Sequence, residues 1–177
     1  MNALTVLIGG ARSGKSDLAV QIGRQYDGAV TFIATAQGLD GDMASRIARH
    51  QAERPPWPTL ETPTALHEGL ESVPPDHLVI IDCLTLWVAN AIFDDWSDDA
   101  VHSAATQSAE IAANRRGPTV AVTNEVGLGI HPETELGRRY RDVLGRVNRI
   151  WTARADRSLF LVAGRALELY NPWEYLS

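Results

Sequence analysis

The chain has 177 residues, 45% hydrophobic and 21% charged, an ordinary globular composition long enough to bury a core, and one domain over residues 1–177 is expected. A formal net charge of −6 argues against a broad nucleic-acid-binding surface, since much of the positive charge is concentrated in residues 9–16, 46–54 and 138–154. The single cysteine, Cys83, rules out an internal disulfide, no secretory signal opens the sequence, and the longest apolar run, Leu84 to Phe93, is too short for a membrane span, so a cytoplasmic location is expected.

Leu4 to Ile8 is a short apolar, β-branched stretch that predicts a buried strand. It runs into Gly9-Gly10-Ala11-Arg12-Ser13-Gly14-Lys15-Ser16, which fits G-x-x-x-x-G-K-S, and then into Asp17 to Ile22, whose apolar residues recur at helical spacing. Strand, glycine loop and helix in this order form a phosphate-binding loop. The glycines let successive N–H groups turn inward on an anion, and the helix adds its free N–H groups and positive dipole end. Lys15 is a point charge for the β- and γ-phosphates, and the Ser16 hydroxyl can hold Mg²⁺.

Ala29 to Ala34 predicts a second strand, followed by Thr35-Ala36-Gln37. A helix is expected from Asp40 to about Glu53, stopped by Arg54-Pro55-Pro56-Trp57-Pro58. Thr59 to Thr62 is a polar segment, and a short helix spans about Ala65 to Glu71. His77 to Asp82 is a continuous apolar run closed by an acid, as in a fully buried parallel strand. Leu84 to Phe93, interrupted by Asn90, is a buried helix. The acids from Asp94 to Asp99 are adjacent rather than spaced like a calcium loop, and they lead into a helix over Asp98 to Asn114. Pro118 to Thr123 is the fourth strand. It opens onto Asn124-Glu125-Val126-Gly127-Leu128-Gly129-Ile130 and a helix from Pro132–Glu135 to about Ala155. Ser158 to Ala163 is the fifth. Strands alternating with helices predict a P-loop-type α/β fold: a mainly parallel sheet of five or more strands with helices on both faces. Ligands of such sheets lie beyond the carboxyl ends of the strands, which puts residues 9–16, 34–36, Asp82 and Asn124-Glu125 along one rim.

Asp82 stands where a strand-end acid can hold Mg²⁺, or can simply cap the next helix. At ~100° per residue, Arg46, His50 and Arg54 share one helical stripe, each ~40° from the last. An imidazole between two guanidiniums is held neutral and nucleophilic; the bland alternative is a solvated basic face. The loop after Thr123 approaches a ligand or moves, with Glu125 either a general base or a brace for the loop. His67, His77, His102 and His131 lack metal-site partnering, and Trp57, beside prolines, is the one tryptophan placed to wall a ligand.

Taken together, these residues resemble the adenosylcobinamide kinase/adenosylcobinamide-phosphate guanylyltransferase enzymes of cobalamin synthesis. The resemblance rests on G-G-A-R-S-G-K-S at 9–16, Ile33 to Ala36, Arg46-Ile47-Ala48-Arg49-His50, Asp82 to Thr85, Thr123 to Ile130, Leu144 to Asn148 and Val162-Ala163-Gly164. It covers roughly residues 4 to 164, in order. It implies two reactions: phosphorylation of adenosylcobinamide by ATP or GTP, then transfer of GMP from GTP, through a histidine, to adenosylcobinamide phosphate. Of the two catalytic residues, His50 stands at the family's R-I-x-x-H position and Lys15 in the loop. The nucleotide contacts would be Gly9, Gly10, Ala11, Arg12, Ser13, Gly14, Lys15, Ser16, Ala34, Thr35, Ala36, Gln51, Ala52, Glu53, Arg54, Glu61 and Asp82, with Ser16 and Asp82 on the metal. A homotrimer with active sites between subunits is also implied. Asp82 departs from the glutamate common in the family, and the tail from Arg165 to Ser177 lies outside its motifs. The alternatives are a single-activity small-molecule kinase and a nucleotide-dependent switch. The guanine-reading N-K-x-D motif of switch GTPases is missing, since Lys15 is the only lysine.

Overall fold

The computed structural model describes residues 4–37, Gly41 and 51–176. Its strands are β1 (Leu4–Gly9), β2 (Val30–Ala34), β3 (Thr59–Glu61), β4 (Leu78–Asp82), β5 (Thr119–Asn124), β6 (Arg157–Val162) and β7 (Arg165–Leu169). Its helices are α1 (Lys15–Gln25), α2 (Leu66–Ser72), α3 (Leu84–Phe93), α4 (Asp98–Asn114) and α5 (Glu135–Thr152), with a 3-10 turn at Pro172–Tyr175. The strands form one sheet in the order β3-β2-β4-β5-β1-β6-β7, and all pairings are parallel except β6 with β7.

Side-chain alternation divides the core into two layers. Val6 and Ile8 of β1 point to one face, where they meet Leu66, Trp87, Val88, Ala105, Leu144, Val147 and Trp151 from α2 to α5. Leu7 points to the other, with Phe32, Ile80, Val120 and Val122, beneath Ala19 of α1. The expected arrangement of helices on both faces is therefore present. Among the described residues no helix is long and apolar enough to cross a membrane.

Three features add to the sequence expectations. The polar segment at Thr59–Glu61 is a parallel edge strand, paired Phe32 to Thr59 and Ala34 to Glu61. Three residues with one partner strand are too short to display a period of two. Beyond Gly164 the chain doubles back as β7 through a two-residue turn, with φ of 50° at Ala163 and 73° at Gly164. Both angles belong to the primed hairpin turns, which normally announce themselves with Asn or Asp before the Gly; alanine hides the signal. Trp57 is packed as a wedge under α1, since a Cβ on Gly23 would sit 2.6 Å from its Cη2 and 3.0 Å from Ile80 Cδ1. Of the helix expected over 40–53, residues 51–53 are helical. Its aspartate start, Arg46 and His50 lie outside the described residues.

The upper end of β5 is tied to α5 by a buried amide. Thr123 Oγ1 donates to Asn148 Oδ1 (2.7 Å) and Asn148 Nδ2 donates to the Asn124 carbonyl (3.0 Å). Asn148 is 5% exposed. Replacing it by alanine leaves two polar groups without partners, at a cost of about 1–3 kcal/mol. Asn148→Ala should accordingly lower Tm by about 2–4 °C per kcal/mol, measured by calorimetry.

Candidate nucleotide site

The loop between β1 and α1 is shaped by backbone packing. A Cβ on Gly9 would collide with the Leu161 carbonyl oxygen of β6, so only glycine lets β1 end this close to its neighbour. Gly14, the residue before α1, has φ of 95°, and Arg12 has φ of 56°. These left-handed conformations turn the chain so that it enters α1 with free N–H groups facing the loop. The loop closes on its own lysine: Lys15 Nζ donates to the Gly10 carbonyl at 2.7 Å and lies 3.2 Å from Ser13 Oγ. Behind it, Gly164 N–H in the β6–β7 turn donates to the Ser13 carbonyl at 3.0 Å.

Strand register places the expected site residues together. Ala34 aligns with Glu61 on one side and Asp82 on the other, Asp82 with Val122, and Gly9 with Asn124. Thr35 sets the relation between β2 and β4. Its N–H donates to the Asp82 carbonyl (3.3 Å), and its hydroxyl donates to the Cys83 carbonyl (2.7 Å) and accepts from Cys83 N–H (2.9 Å). Thr35 is fully buried, so its side chain positions Asp82 rather than reaching into solvent. Its carbonyl accepts from Asn90 Nδ2 (2.7 Å), which also donates to the Pro63 carbonyl (3.1 Å). Asn90 is the positioning residue that sequence inspection passed over. Its one signal was an amide inside an apolar helix.

Two cations sense Asp82. Burial lowers the pKa of the Lys15 amine, while Cys83 and Asp82 oppose the shift. Burial likewise lowers that of Arg54, again opposed by Asp82. The Arg54 guanidinium lies 3.6 Å over the Phe32 ring and donates through Nη2 to Thr59 Oγ1 (2.9 Å), leaving Nη1 buried without a partner. The neighbouring Cys83 thiol is pushed up to about 12 by burial and by Asp82, so it stays neutral and inert. The Ser16 hydroxyl makes no hydrogen bond among the described residues. With the Asp82 carboxylate it offers the oxygen donors that a hard divalent cation prefers. Gln51, Ala52, Glu53 and Glu61 are exposed.

The loop after β5 is braced at both ends. Glu125 N–H donates to the Gly9 carbonyl (3.1 Å), and Asn124 N–H to Thr85 Oγ1 (2.8 Å). The Glu125 carboxylate accepts from Gly127 N–H at 2.6 Å. Of the two roles open to Glu125, this geometry favours the brace. Farther on, Arg138 donates to the carbonyls of Pro132 and Glu133, and Arg141 Nη1 lies 2.7 Å from His131 Nδ1. Leu128 and Ile130 stand out from the loop, 78% and 96% exposed.

Residues 5–169 match the family model described as cobinamide kinase / cobinamide phosphate guanyltransferase. The bifunctional adenosylcobalamin biosynthesis protein CobP of Pseudomonas aeruginosa is 40% identical over 166 residues, covering 93% of this chain and 95% of that protein. The bifunctional adenosylcobalamin biosynthesis protein CobU of Escherichia coli K12 is 38% identical over 181 residues, covering 94% and 99%. Among solved structures, the RadB recombinase superposes with a TM-score of 0.51 at 19% identity over 89% of this chain and 73% of that one. That likeness is one of fold.

The brace at Glu125 is separable from proton transfer by two substitutions. Glu125→Gln keeps an acceptor for Gly127 N–H and should hold turnover within about twofold, whereas Glu125→Ala should lose about tenfold, the equivalent of one hydrogen bond to a charged group. A steady-state comparison decides it: a large loss in Glu125→Gln would assign the carboxylate to proton transfer instead.

Proposed function

The chain belongs to the cobinamide kinase / cobinamide phosphate guanyltransferase family, and we propose that a single nucleotide site serves both of its reactions. It is a bifunctional transferase of cobalamin biosynthesis. The observation that carries the single-site reading is the rim on which the self-closed phosphate loop, Asp82 and Arg54 meet.

In the kinase step the loop N–H groups and Lys15 hold the β- and γ-phosphates of ATP or GTP, and the γ-phosphoryl group passes to the aminopropanol hydroxyl of adenosylcobinamide. Catalysis is mostly positioning and charge stabilisation. Mg²⁺ held by Ser16 and Asp82 would offset charge on the phosphates. In the second step His50 attacks the α-phosphorus of GTP: a P–N bond forms, the α–β phosphoanhydride breaks, and pyrophosphate leaves. An oxygen of adenosylcobinamide phosphate then attacks the same phosphorus, the P–N bond breaks, and adenosylcobinamide-GDP is released. Support for His50 comes from the family's R-I-x-x-H position and from the arginines four residues to either side, Arg46 and Arg54. Two guanidiniums favour the neutral imidazole and stabilise charge on the phosphate oxygens. Nucleoside triphosphate substrates suit a cytoplasmic enzyme.

The test is GTP labelled at the α-phosphate. Label should remain on denatured wild-type protein in base, leave in acid as phosphohistidine does, and be absent from His50→Ala, which should still phosphorylate adenosylcobinamide. Lys15→Ala should lose both activities, because both begin on the same phosphates. Label persisting in His50→Ala, or no label in the wild type during turnover, would leave a kinase alone.

The homotrimer is proposed from the family and from the outer edge of the sheet. Leu167, Leu169, Tyr170, Trp173 and Leu176, on or beyond β7, are 45–74% exposed. Sedimentation at micromolar concentration should show the trimer; a stable monomer would exclude it.

A further inference from the structure

A groove of about 430 Å³ opens on the flank of α5 beside the phosphate loop. Glu125 and Gly127 form one wall, and Arg141, Asp142, Gly145, Arg146 and Arg149 of α5 form the other. The groove adjoins the nucleotide rim directly, because Asn124 is in register with Gly9 and Glu125 N–H donates to the Gly9 carbonyl at 3.1 Å.

Its charges are unequally committed. Arg141 pairs with Asp142 at 2.8 Å and lies against His131, and the Glu125 carboxylate holds Gly127 N–H. Arg146 and Arg149 have no ion pair or side-chain hydrogen bond among the described residues. These two guanidiniums, three positions apart on one helix face, offer paired forks to a phosphate. Gly145 lies in the interior of α5, where glycine is disfavoured. A Cβ there would meet nothing within 4 Å, so no internal neighbour demands the gap. The missing side chain is instead floor space in the groove. The loop that walls the groove also carries exposed Leu128 and Ile130. A basic groove edged by an apolar loop suits a large, partly apolar ligand with an anionic tail. The larger groove, about 830 Å³ between α4 and α5, shares Asp142 and Arg146 with this one but adds two further acids, Asp98 and Glu135, and its Arg139 is paired with Asp98 at 2.8 Å.

We propose that Arg146 and Arg149 bind the phosphate of the phosphorylated corrinoid, with Leu128 and Ile130 against its macrocycle. The groove then distinguishes the product of the first reaction, a phosphate monoester, from the alcohol substrate, which has no anionic group there. It also offsets the repulsion between that phosphate and the nucleotide phosphates on the neighbouring loop. This assignment rests on the function proposed above.

Equilibrium dialysis of the full chain against cobinamide and cobinamide phosphate, without nucleotide, tests it. Wild type should bind the phosphate form about tenfold more tightly, as charge-assisted hydrogen bonds to one phosphate allow. The double variant Arg146→Gln/Arg149→Gln should lose that preference while its affinity for cobinamide, its Tm and its labelling by GTP stay close to wild type. Gly145→Leu, which fills the groove without removing a charge, should lose it too. No preference in the wild type, or a preference that survives both variants, overturns the proposal. Loss of GTP labelling in the double variant also overturns it, by giving the arginines to the nucleotide. If wild type turns over both steps without preferring the phosphate form, only the groove assignment falls. If it neither labels nor turns over any corrinoid, the function falls and takes the groove with it.

Discussion

Everything on the rim depends on how closely β1 ends against β6. A side chain at Gly9 would strike the Leu161 carbonyl, so the strand can finish there only as bare backbone. That close approach lets the following residues curl over the top of the sheet and enter α1 with Lys15 already turned back on Gly10. The same neighbour supplies the β6–β7 turn, whose Gly164 N–H steadies the Ser13 carbonyl from behind. The phosphate loop is thus built from backbone on three sides, with little room to shift.

Around it, the strand ends are held level by buried polar groups rather than by apolar packing. Thr35 joins β2 to Asp82 and Cys83, Asn90 braces Thr35, Thr85 holds Asn124, and Asn148 fastens Thr123 and Asn124 to α5. Such bonds add modestly to net stability when made and cost more when broken, because a desolvated partner is left behind. Their directionality matters more than their energy. Apolar contacts tolerate sliding, whereas these fix the height of Asp82 and of the Glu125 loop relative to the phosphate loop.

Much of this was legible because its causes are local. The phosphate loop is a local motif. The apolar run ending at Asp82 could only be a buried parallel strand, and the helix over Asp98–Asn114 has both expected bounds, with the Ser97 hydroxyl accepting from Ala100 N–H. What stayed hidden depends on partners remote in sequence. β3 exists because β2 offers an open edge, and β7 because an alanine accepts a positive φ where asparagine is the usual marker. The slot that Trp57 fills is made by the bare Cα of Gly23 on α1, far from it in sequence. The polar pins were equally unreadable, since a threonine after a strand and an amide in an apolar helix carry no sign of each other. The nucleophile proposed at His50 rests on family resemblance, as helical spacing alone left a solvated face open.

The solitary lysine carries one more consequence. Every other cation of this chain is an arginine or histidine, so Lys15 holds the only side-chain amine, buried and clasped by Gly10 and Ser13. Reagents that acylate or alkylate amines therefore have, apart from the chain terminus, a single target, and it lies in the loop proposed to hold the nucleotide phosphates. Reductive methylation or ester-based crosslinking, harmless to most proteins at a few surface lysines, falls here on the amine proposed to hold the phosphates. Occupancy of the loop by a triphosphate becomes the natural shield, and the modification state of one amine becomes a direct gauge of whether the site is filled.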